Sequence, residues 1–574
     1  MKTGQFTASE GNILFYRVWD TDAQSNGKIV VLLHRGHEHS ERLSAVAEVL
    51  VQAGYSVYAF DNRGHGHSKT AACYEFMQMV RDLDTFVQFI CKETHKNQND
   101  IFILANSVGA VIAATWVHDY APQIAGMALL APAFKIKLYV PLAKPALDLA
   151  IRFKPKLEVK SYVKARFLTH NRAEQERYNN DKLINPSIPA RQLTTLLDTA
   201  QRIIQDAYLI VAPTLVISAG QDYVVDNAAQ LQFYETLSSP LKKHLILDGF
   251  YHGILYEHGA DKVMNSILEF IQICFKAPVL QMRDNLVVLT QWERNQIAGG
   301  KTSLTRKLSY QAQRYMMQRL GFLSDGMQVG LKYGFDSGVA LDHIYKNKPS
   351  GLGIIGRAID KQYLNAIGWR GIRQRKVHLQ QMLKEAILQL QIQGKEVSIV
   401  DIAGGPARYL MELAQALPDI QIQVRDYQEQ NLAEGRTLVR QLNLTNINYL
   451  AADAFDYASY QNQTIRPNIV IVSGVFELFS SNNLIKKAIE GIAYWLQPNG
   501  YVIYTGQPWH PQLEQIAQVL GNHQKQRWIM RRRSQYELDS LFSDYGFKKL
   551  QMQIDNWGIF TVSLAQLTTD NSIK

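Results

Sequence analysis

Two separate series of short β-branched segments, each alternating with helical periods, restrict the folds open to this chain more than any other feature. In the first, "IVVLLH", "SVYAFD", "IFILAN", "MALLAP", "TLVISAG" and "HLILDG" are spaced by amphipathic stretches such as "RLSAVAEVLVQAGY" and "DKVMNSILEFIQICFKA". Apolar runs of this length suit strands buried on both faces, so the rhythm predicts a mainly parallel sheet covered by helices. The second series starts at residue 397 with "VSIVDIAGG", "IQIQVRDY", "INYLAADAF", "NIVIVSG" and "GYVIYTG", and closes on the hairpin-like "KKLQMQIDNWGIFTVSLA". A chain of 574 residues is too long for one core, and two α/β domains are predicted. The first covers 1–278, with a helical, proline-punctuated insertion at about 133–210 lying over the carboxyl edge of the sheet. The second covers 396–574. Residues 279–395 form its mainly helical preface, interrupted by the loop-like, glycine-spaced stretch "GFDSGVALDHIYKNKPSGLGIIGR".

Three residues in the first half follow strands in the order Ser, Asp, His. Ser107 in "LANSVGA" stands between a strand and a helix, Asp222 follows "TLVISAG", and His252 follows "HLILDG". A serine nucleophile needs a base for its proton, an acid to orient that base, and donors for the oxyanion. His252 is preferred to His244, which is mid-strand, and to His258, which lies beyond the turn. Asp226 reads instead as a helix N-cap and Asp248 as a turn residue. The turn after "VVLLH" supplies one oxyanion N–H from Gly36, and Val108, following the nucleophile, supplies the other. "HEH" at 37–39 lacks the spacing of a helical zinc motif, and no metal site is expected.

"HRGHEHSERL", "AFDNRGHGHS", "ANSVGA", "GQDYVVD" and "GFYHGILYE" together resemble the serine-aminopeptidase and monoacylglycerol-lipase branch of the α/β-hydrolases. The resemblance spans about residues 8–275 and implies a capped α/β-hydrolase fold and cleavage of glycerolipid, lysophospholipid or related acyl esters. Two positions depart from the pattern. Arg35 stands where a glycine is usual after the first histidine, and Ala105 stands for the first glycine of the G-x-S-x-G elbow.

In the second half, "VSIVDIAGGPARYLMELAQAL" reads as strand, small-residue turn and helix, where backbone and helix N-terminus can hold an anionic ligand. Arg408 occupies the position at which a dinucleotide fingerprint needs glycine. Asp426 ends the next strand, placed for ribose hydroxyls, and Asp453 with Ala454 follows the third, where an adenine amino group is read. This series resembles the class I S-adenosylmethionine-dependent methyltransferases. The resemblance implies S-adenosylmethionine as cofactor, cradled by Asp401, Ala403, Gly404, Gly405 and Ala407, with alanine at two positions usually held by glycine. "VSGVFELF", bearing Ser473 and Glu477, matches the segment lining the transferred methyl and lacks an N-P-P-Y type motif. Trp369, Trp509, Arg370 and Arg373 are further candidates for the acceptor side. Through "GFDSGVALDHIYKNKPSGLGIIGRAIDKQYLNAIGWRGIRQRK" and "YTGQPWHPQLE", joined to the hydrolase half, nearly the whole chain resembles a bacterial fusion of a hydrolase and a methyltransferase. The alternative is an active hydrolase whose second half only binds lipid or protein.

The net charge of +10 is local. Residues 135–166 hold nine basic residues against Asp148 and Glu158, and residues 357–376 hold six against Asp360. Neither cluster carries an aromatic stacking or groove-reading motif, which argues against nucleic acid. A basic insertion interleaved with apolar residues suits peripheral contact with an anionic membrane, with Leu138, Leu147 and Ile151 directed to the acyl region. No apolar run is long enough to span a bilayer, the N-terminus lacks a signal-peptide core, and Cys73, Cys91 and Cys274 are widely spaced. A cytoplasmic protein, peripheral at the inner membrane face, is expected.

Overall fold

The computed structural model describes residues 1–20, 25–69, 72–277, 283–461, 463 and 465–568. The chain divides into two compact units, Met1–Met282 and Arg283–Lys574. The boundary expected between residues 278 and 279 lies outside the described residues.

The first unit contains β1 (Lys2–Thr7), β2 (Ile13–Trp19), β3 (Ile29–Leu33), β4 (Ser56–Phe60), β5 (Ile101–Asn106), β6 (Gly126–Leu130), β7 (Glu158–Lys160), β8 (Ser187–Pro189), β9 (Thr214–Ala219) and β10 (Lys242–Leu247). Eight of these make one sheet in the order β1-β2-β4-β3-β5-β6-β9-β10, antiparallel through β1, β2 and β4 and parallel thereafter. β3, β5, β6 and β9 are buried at every residue, because helices occupy both faces. Helices Ser44–Gln52 and Ala260–Lys276 share one core with these strands. Val108–Tyr120, apolar nearly all round, packs on β5 and β6 from the other side. Between β6 and β9 the chain leaves the sheet for helices Ala143–Phe153, Arg172–Asn180 and Ala190–Asp206 and the β7–β8 ribbon.

The second unit begins with six helices: Arg283–Ala298, Leu304–Leu320, Asp325–Tyr333, Gly338–Lys346, Gly353–Leu364 and the 26-residue Ile367–Ile392. Its strands are β11 (Ser398–Ile402), β12 (Gln421–Asp426), β13 (Ile447–Ala451), β14 (Ile469–Val472), β15 (Tyr501–Gly506), β16 (Phe547–Ile554) and β17 (Thr561–Leu567). They lie in the order β13-β12-β11-β14-β15-β17-β16, parallel except for the closing hairpin, whose β17 pairs antiparallel with β15. Alternate residues feed two cores. Ile399, Ile469 and Ile503 face the long helix Ile367–Ile392, while Val400, Val470 and Val502 face Asn482–Trp495 and Gln535–Ser543. Both halves are therefore α/β, the second a Rossmann-like sheet with a helical preface.

The glycine-spaced stretch read as loop-like is in fact largely helical. Ser337 caps Gly338–Lys346 by accepting the Ala340 N–H, and a further helix starts at Gly353. Two of its glycines serve close packing: a Cβ on Gly338 would stand 2.7 Å from Pro406, and one on Gly356 would collide with the Leu323 carbonyl. Among the described residues, no helix is long and apolar enough to cross a membrane.

The turn from β5 into Val108–Tyr120 shows which elbow position requires glycine. Ala105 lies inside β5, with its methyl buried in ordinary strand geometry. Gly109 faces β3, and a Cβ there would stand 2.7 Å from the His34 carbonyl oxygen and 2.9 Å from Leu33 Cβ. Gly109→Ala should therefore lower the stability of the first unit by about 1–3 kcal/mol, as overpacking does. Ala105→Gly should cost only about 0.5–1 kcal/mol. Urea unfolding of the two variants measures both; equal losses would refute the asymmetry.

Candidate active sites

Ser107 sits at the carboxyl end of β5 with φ +55° and ψ −112°, a conformation forced by the sharp turn from strand to helix. Its Oγ is 2.8 Å from His252 Nε2, and His252 Nδ1 is 2.8 Å from Asp222 Oδ2. The second Asp222 oxygen accepts the N–H groups of Val224 and Val225 at 2.7 and 2.9 Å. Burial alone would raise this carboxyl, but the facing imidazole and these N–H bonds outweigh it and hold it below the usual carboxylate range. The three side chains are buried, and the structure brings them into one hydrogen-bonded line. Gly36 and Val108 line the same cavity as Ser107 and His252.

The turn carrying Gly36 is held by polar groups that the sequence did not announce. His34 Nδ1 donates to the Arg35 carbonyl at 2.6 Å, and its Nε2 accepts the Asn62 N–H at 3.0 Å, which fixes one tautomer. Arg35 turns its guanidinium onto Glu38 and across the Tyr256 ring at 4.9 Å. Burial would raise the Glu38 carboxyl, but Arg35, with Arg42 beside it, brings it down to about 2. The arginine departure thus becomes a buried ion pair. The glycine after His252 is required chiefly by the backbone, because a Cβ on Gly253 would stand 2.6 Å from the Leu168 carbonyl oxygen as well as 2.7 Å from Arg35 Nη1. The spacing of Arg35 and Glu38, three apart in a turn, was the only local signal of this pair.

The cavity above Ser107 has a volume of about 210 Å³, and its wall comes mostly from the chain between β6 and β9. Leu138 and Leu147, expected to point toward a membrane, line this cavity instead, and Ile151 is half-buried. The apolar side chains exposed on the insertion are Tyr139, Val140, Leu142, Leu149 and Phe153. Part of the basic stretch is also used internally. Lys135 pairs with Asp226, Lys144 with Asp148 and Asp198, and Lys137 donates to the Asp222 carbonyl at 2.6 Å.

In the second unit, Asp401 is the fourth residue of β11 and is almost fully buried. Burial pushes its carboxyl up to about 7, against the opposing 2.7 Å hydrogen bond from the Tyr409 hydroxyl and with a further push from Asp426. Its Oδ1 has no partner. Ala403 and Ala407 both adopt left-handed backbone, φ +55° and +50°, where glycine carries no steric penalty. Gly404 backs onto Asp401, whereas a Cβ on Gly405 would meet open space. Asp426 ends β12, and its carboxylate accepts from the N–H groups of Gly405 and Gln428 and from Asn431 Nδ2. Asp453 is exposed, with Oδ1 on the Phe455 N–H at 2.8 Å, and Ala454 follows, half-buried.

A second cavity, of about 520 Å³, adjoins the carboxyl ends of β14 and β15. Of the acceptor-side candidates, Glu477 and Trp369 line it. Ser473 and Trp509 are half-buried off its wall. Arg370 lies over the Trp557 ring at 4.4 Å, and Arg373 donates to the Leu364 carbonyl at 2.9 Å. The arginine that reaches the cavity is Arg375, whose Nη1 stands 3.5 Å from Glu477 Oε1. The segment bearing Glu477 is clamped by the buried run Arg531–Arg533. Arg531 donates its N–H to the Glu477 carbonyl and Nη1 to the Ser480 carbonyl, and Arg533 Nη1 donates to the Phe476 carbonyl. Arginine is seldom this fully buried, and nothing local in the sequence marks these three for it.

The family described as "Putative methyltransferase" matches residues 268–567, more than half of the chain. The chain belongs to that methyltransferase family. Residues 24–259 match the hydrolase family described as "Serine aminopeptidase, S33", so the chain is a fusion of the two. An Escherichia coli K12 relative, "Uncharacterized protein YnbC", is 43% identical over 98% of this chain and 97% of its own length. The hydrolase half alone is 26% identical to the "Phospholipase YtpA" of Bacillus subtilis 168, covering 44% of this chain and 98% of that protein. It is also 26% identical to human "Monoglyceride lipase", covering 46% and 87%. A solved monoacylglycerol lipase from Paleococcus ferrophilus aligns with a TM-score of 0.42 at 23% identity, over 46% of this chain and 99% of that one. The folds are an α/β-hydrolase fold and a Rossmann-like methyltransferase fold.

Asp401 makes the second unit pH-sensitive. Its folded-state carboxyl, near 7, keeps a proton that the unfolded chain releases near 4. The resulting stabilisation is complete below about pH 4 and is lost as pH rises through about 7. Asp401→Asn, neutral throughout and still able to accept from Tyr409, should flatten this decline and leave the second unit the more stable at pH 8. Thermal unfolding from pH 5 to 8 checks this; an unchanged pH slope in the variant would locate the titration elsewhere.

Proposed function

We propose that the chain is a bifunctional enzyme. Its first unit is a serine hydrolase for acyl esters of the lysophospholipid or monoacylglycerol type, and its second is an S-adenosylmethionine-dependent methyltransferase. The observation carrying the first is the continuous line Asp222–His252–Ser107 beneath an apolar cavity. Ser107 Oγ attacks the acyl carbonyl while His252 Nε2 takes its proton, and Asp222 holds the imidazole Nδ1–H and offsets the imidazolium charge. The Gly36 and Val108 N–H groups stabilise the oxyanion. The alcohol leaves with the proton from His252, and water then releases the acid by the same steps in reverse order. The names of the Bacillus and human relatives support the substrate class.

For the second unit, the orphaned Asp401 oxygen and the open face of Gly405 suit a bound S-adenosylmethionine, which supplies an electrophilic methyl group when present. Asp401 to Ala407 would hold its methionine part, Asp426 its ribose, and Asp453 with Ala454 its adenine. Asp426 already gives three of its roughly four acceptor positions to its own chain, which leaves room for one ribose hydroxyl. The left-handed alanines favour a second reading, a non-catalytic lipid- or protein-binding module, because each costs about 1–2 kcal/mol that glycine would spare.

One preparation tests both halves. Ser107→Ala should lower p-nitrophenyl ester turnover by about 10³-fold or more, and a fluorophosphonate should label the intact protein at Ser107. Labelling that survives the substitution would sink the assignment. In calorimetry, S-adenosylhomocysteine should bind on the order of 1 μM and NAD not at all. Asp426→Ala should weaken that binding by about 10- to 100-fold. No heat with either S-adenosyl compound would leave only the binding module.

We also propose that the chain, cytoplasmic, docks on anionic membrane through the insertion. Tyr139, Val140, Leu142, Leu149 and Phe153 are exposed there beside exposed Arg152, Lys154, Lys156 and Lys164. Each such cation near an anionic bilayer contributes about 1 kcal/mol. Flotation should need anionic liposomes, weaken with salt, and fail for Lys154, Lys156 and Lys164 changed together to Glu, with short-ester cleavage retained. Equal flotation with neutral liposomes would exclude this.

A further inference from the structure

The 520 Å³ cavity of the second unit has two kinds of wall. The preface contributes Met316, Met317, Leu320, Met327 and Ile359, a surface rich in adaptable methionine, beside Gln313 and Asp336, which are paired with Gln515 and His523. Where the cavity meets the carboxyl ends of β14 and β15, the lining changes to Arg375, Glu477, Gln507 and His510. Gln507, the residue after β15, is 3% exposed, and neither its amide nitrogen nor its oxygen has a partner. A buried amide left open on both atoms is costly to the fold, and a ligand group that both donates and accepts would relieve it.

The charge balance narrows that group. The Arg375 guanidinium is already faced by Glu477, 3.5 Å away, so the cluster presents no unopposed cation to an anion. His510 Nδ1 accepts the Gln512 N–H at 3.0 Å, and burial drives the ring's proton affinity far down, to about 3. The neutral ring therefore offers an N–H at Nε2. An anionic head brought here would be a buried, uncompensated charge, whereas a hydroxyl can accept from an N–H and donate to the Gln507 oxygen.

We propose that this cavity binds a long-chain amphiphile with a neutral hydroxyl head, its chain among the preface methionines and its hydroxyl on Gln507. As the identity of the methyl acceptor, this rests on the methyltransferase reading above; as a binding site, it stands on the cavity alone. Each methylene buried should strengthen binding about fourfold.

The test uses the full chain and a brominated alcohol, 11-bromoundecanol, as a quencher of Trp369 and Trp528, both of which line the cavity. Saturable quenching is expected, reduced in Trp369→Phe and in Trp528→Phe taken singly. 1-Dodecanol should displace the probe at least tenfold better than dodecanoate at pH 8 and at least 100-fold better than 1-octanol. Gln507→Leu should weaken dodecanol about tenfold while leaving thermal stability equal or higher, because the orphaned amide is gone; a merely structural glutamine would show lower stability. Quenching unaffected in both Phe variants, displacement by dodecanoate as good as by dodecanol, or undiminished affinity in Gln507→Leu would overturn the proposal. S-adenosylhomocysteine calorimetry on the same sample separates the two claims. Dodecanol binding without that heat upholds the cavity and ends the methyltransferase reading, and heat without dodecanol binding does the reverse.

Discussion

A parallel sheet whose two faces are both covered by helices has its polar chemistry at the ends of its strands, and in such sheets ligands bind at the carboxyl ends. β3, β5, β6 and β9 are buried at every position, so Gly36, Ser107 and Asp222 all fall where a strand has just ended. The second sheet obeys the same constraint. Asp426 ends β12, and Asp453, Glu477 and Gln507 follow β13, β14 and β15 in turn. Each candidate site is thus a row of strand-end residues, and what differs is the material placed over the row. In the first unit it is the chain between β6 and β9; in the second it is the helical preface.

The two coverings are fixed in different ways. Around the first site, charge does the holding. Glu38 is shared by Arg35 and Arg42, Arg42 reaches Glu174, and His39 meets Asp181, so the turn bearing Gly36 is tied to the helix Arg172–Asn180 and the residue after it. Such a network needs every partner, since a lone buried charge is far more costly than the pair is helpful. Around the second site, the buried arginines clamp the segment after β14, and methionine and leucine of the preface line another wall of the cavity. That wall can adjust to its contents, and the clamp keeps the polar end in place.

Much of this was legible because it is local. A strand followed by a small-residue turn and a helix is written in consecutive residues, and Ser107, Asp222 and His252 each follow such a strand; the structure brings them within hydrogen-bond distance. What escaped is what depends on distant packing. Gly338 and Gly356 looked like turn residues, but their missing side chains admit Pro406 and the Leu323 carbonyl. Leu138 and Leu147 read as outward on an amphipathic basic stretch, and the sequence cannot say that the helix lies face-down on a cavity. Gln507 and His510 stand in "YTGQPWHPQLE" without a signal of their own, since a single polar residue is distinguished only by what fails to surround it.

The first residues of the insertion form part of the frame beneath the site as well as its cover. Ile136 bridges Val225, Lys137 bonds through its backbone to Val224 and through its side chain to Asp222, and the Tyr139 hydroxyl donates to the Tyr223 carbonyl. This root shares a strip of backbone with the loop that seats the Asp222 carboxylate. Swinging it aside would disturb the Asp222 carboxylate that faces His252. Past Tyr139 the chain turns through Leu142, in left-handed backbone at φ +57°, into the helix Ala143–Phe153. That helix is tied to Ala190–Asp206 through Lys144 and Asp198, so the cover of the cavity and the seat of the Asp222 carboxylate are fixed by separate contacts.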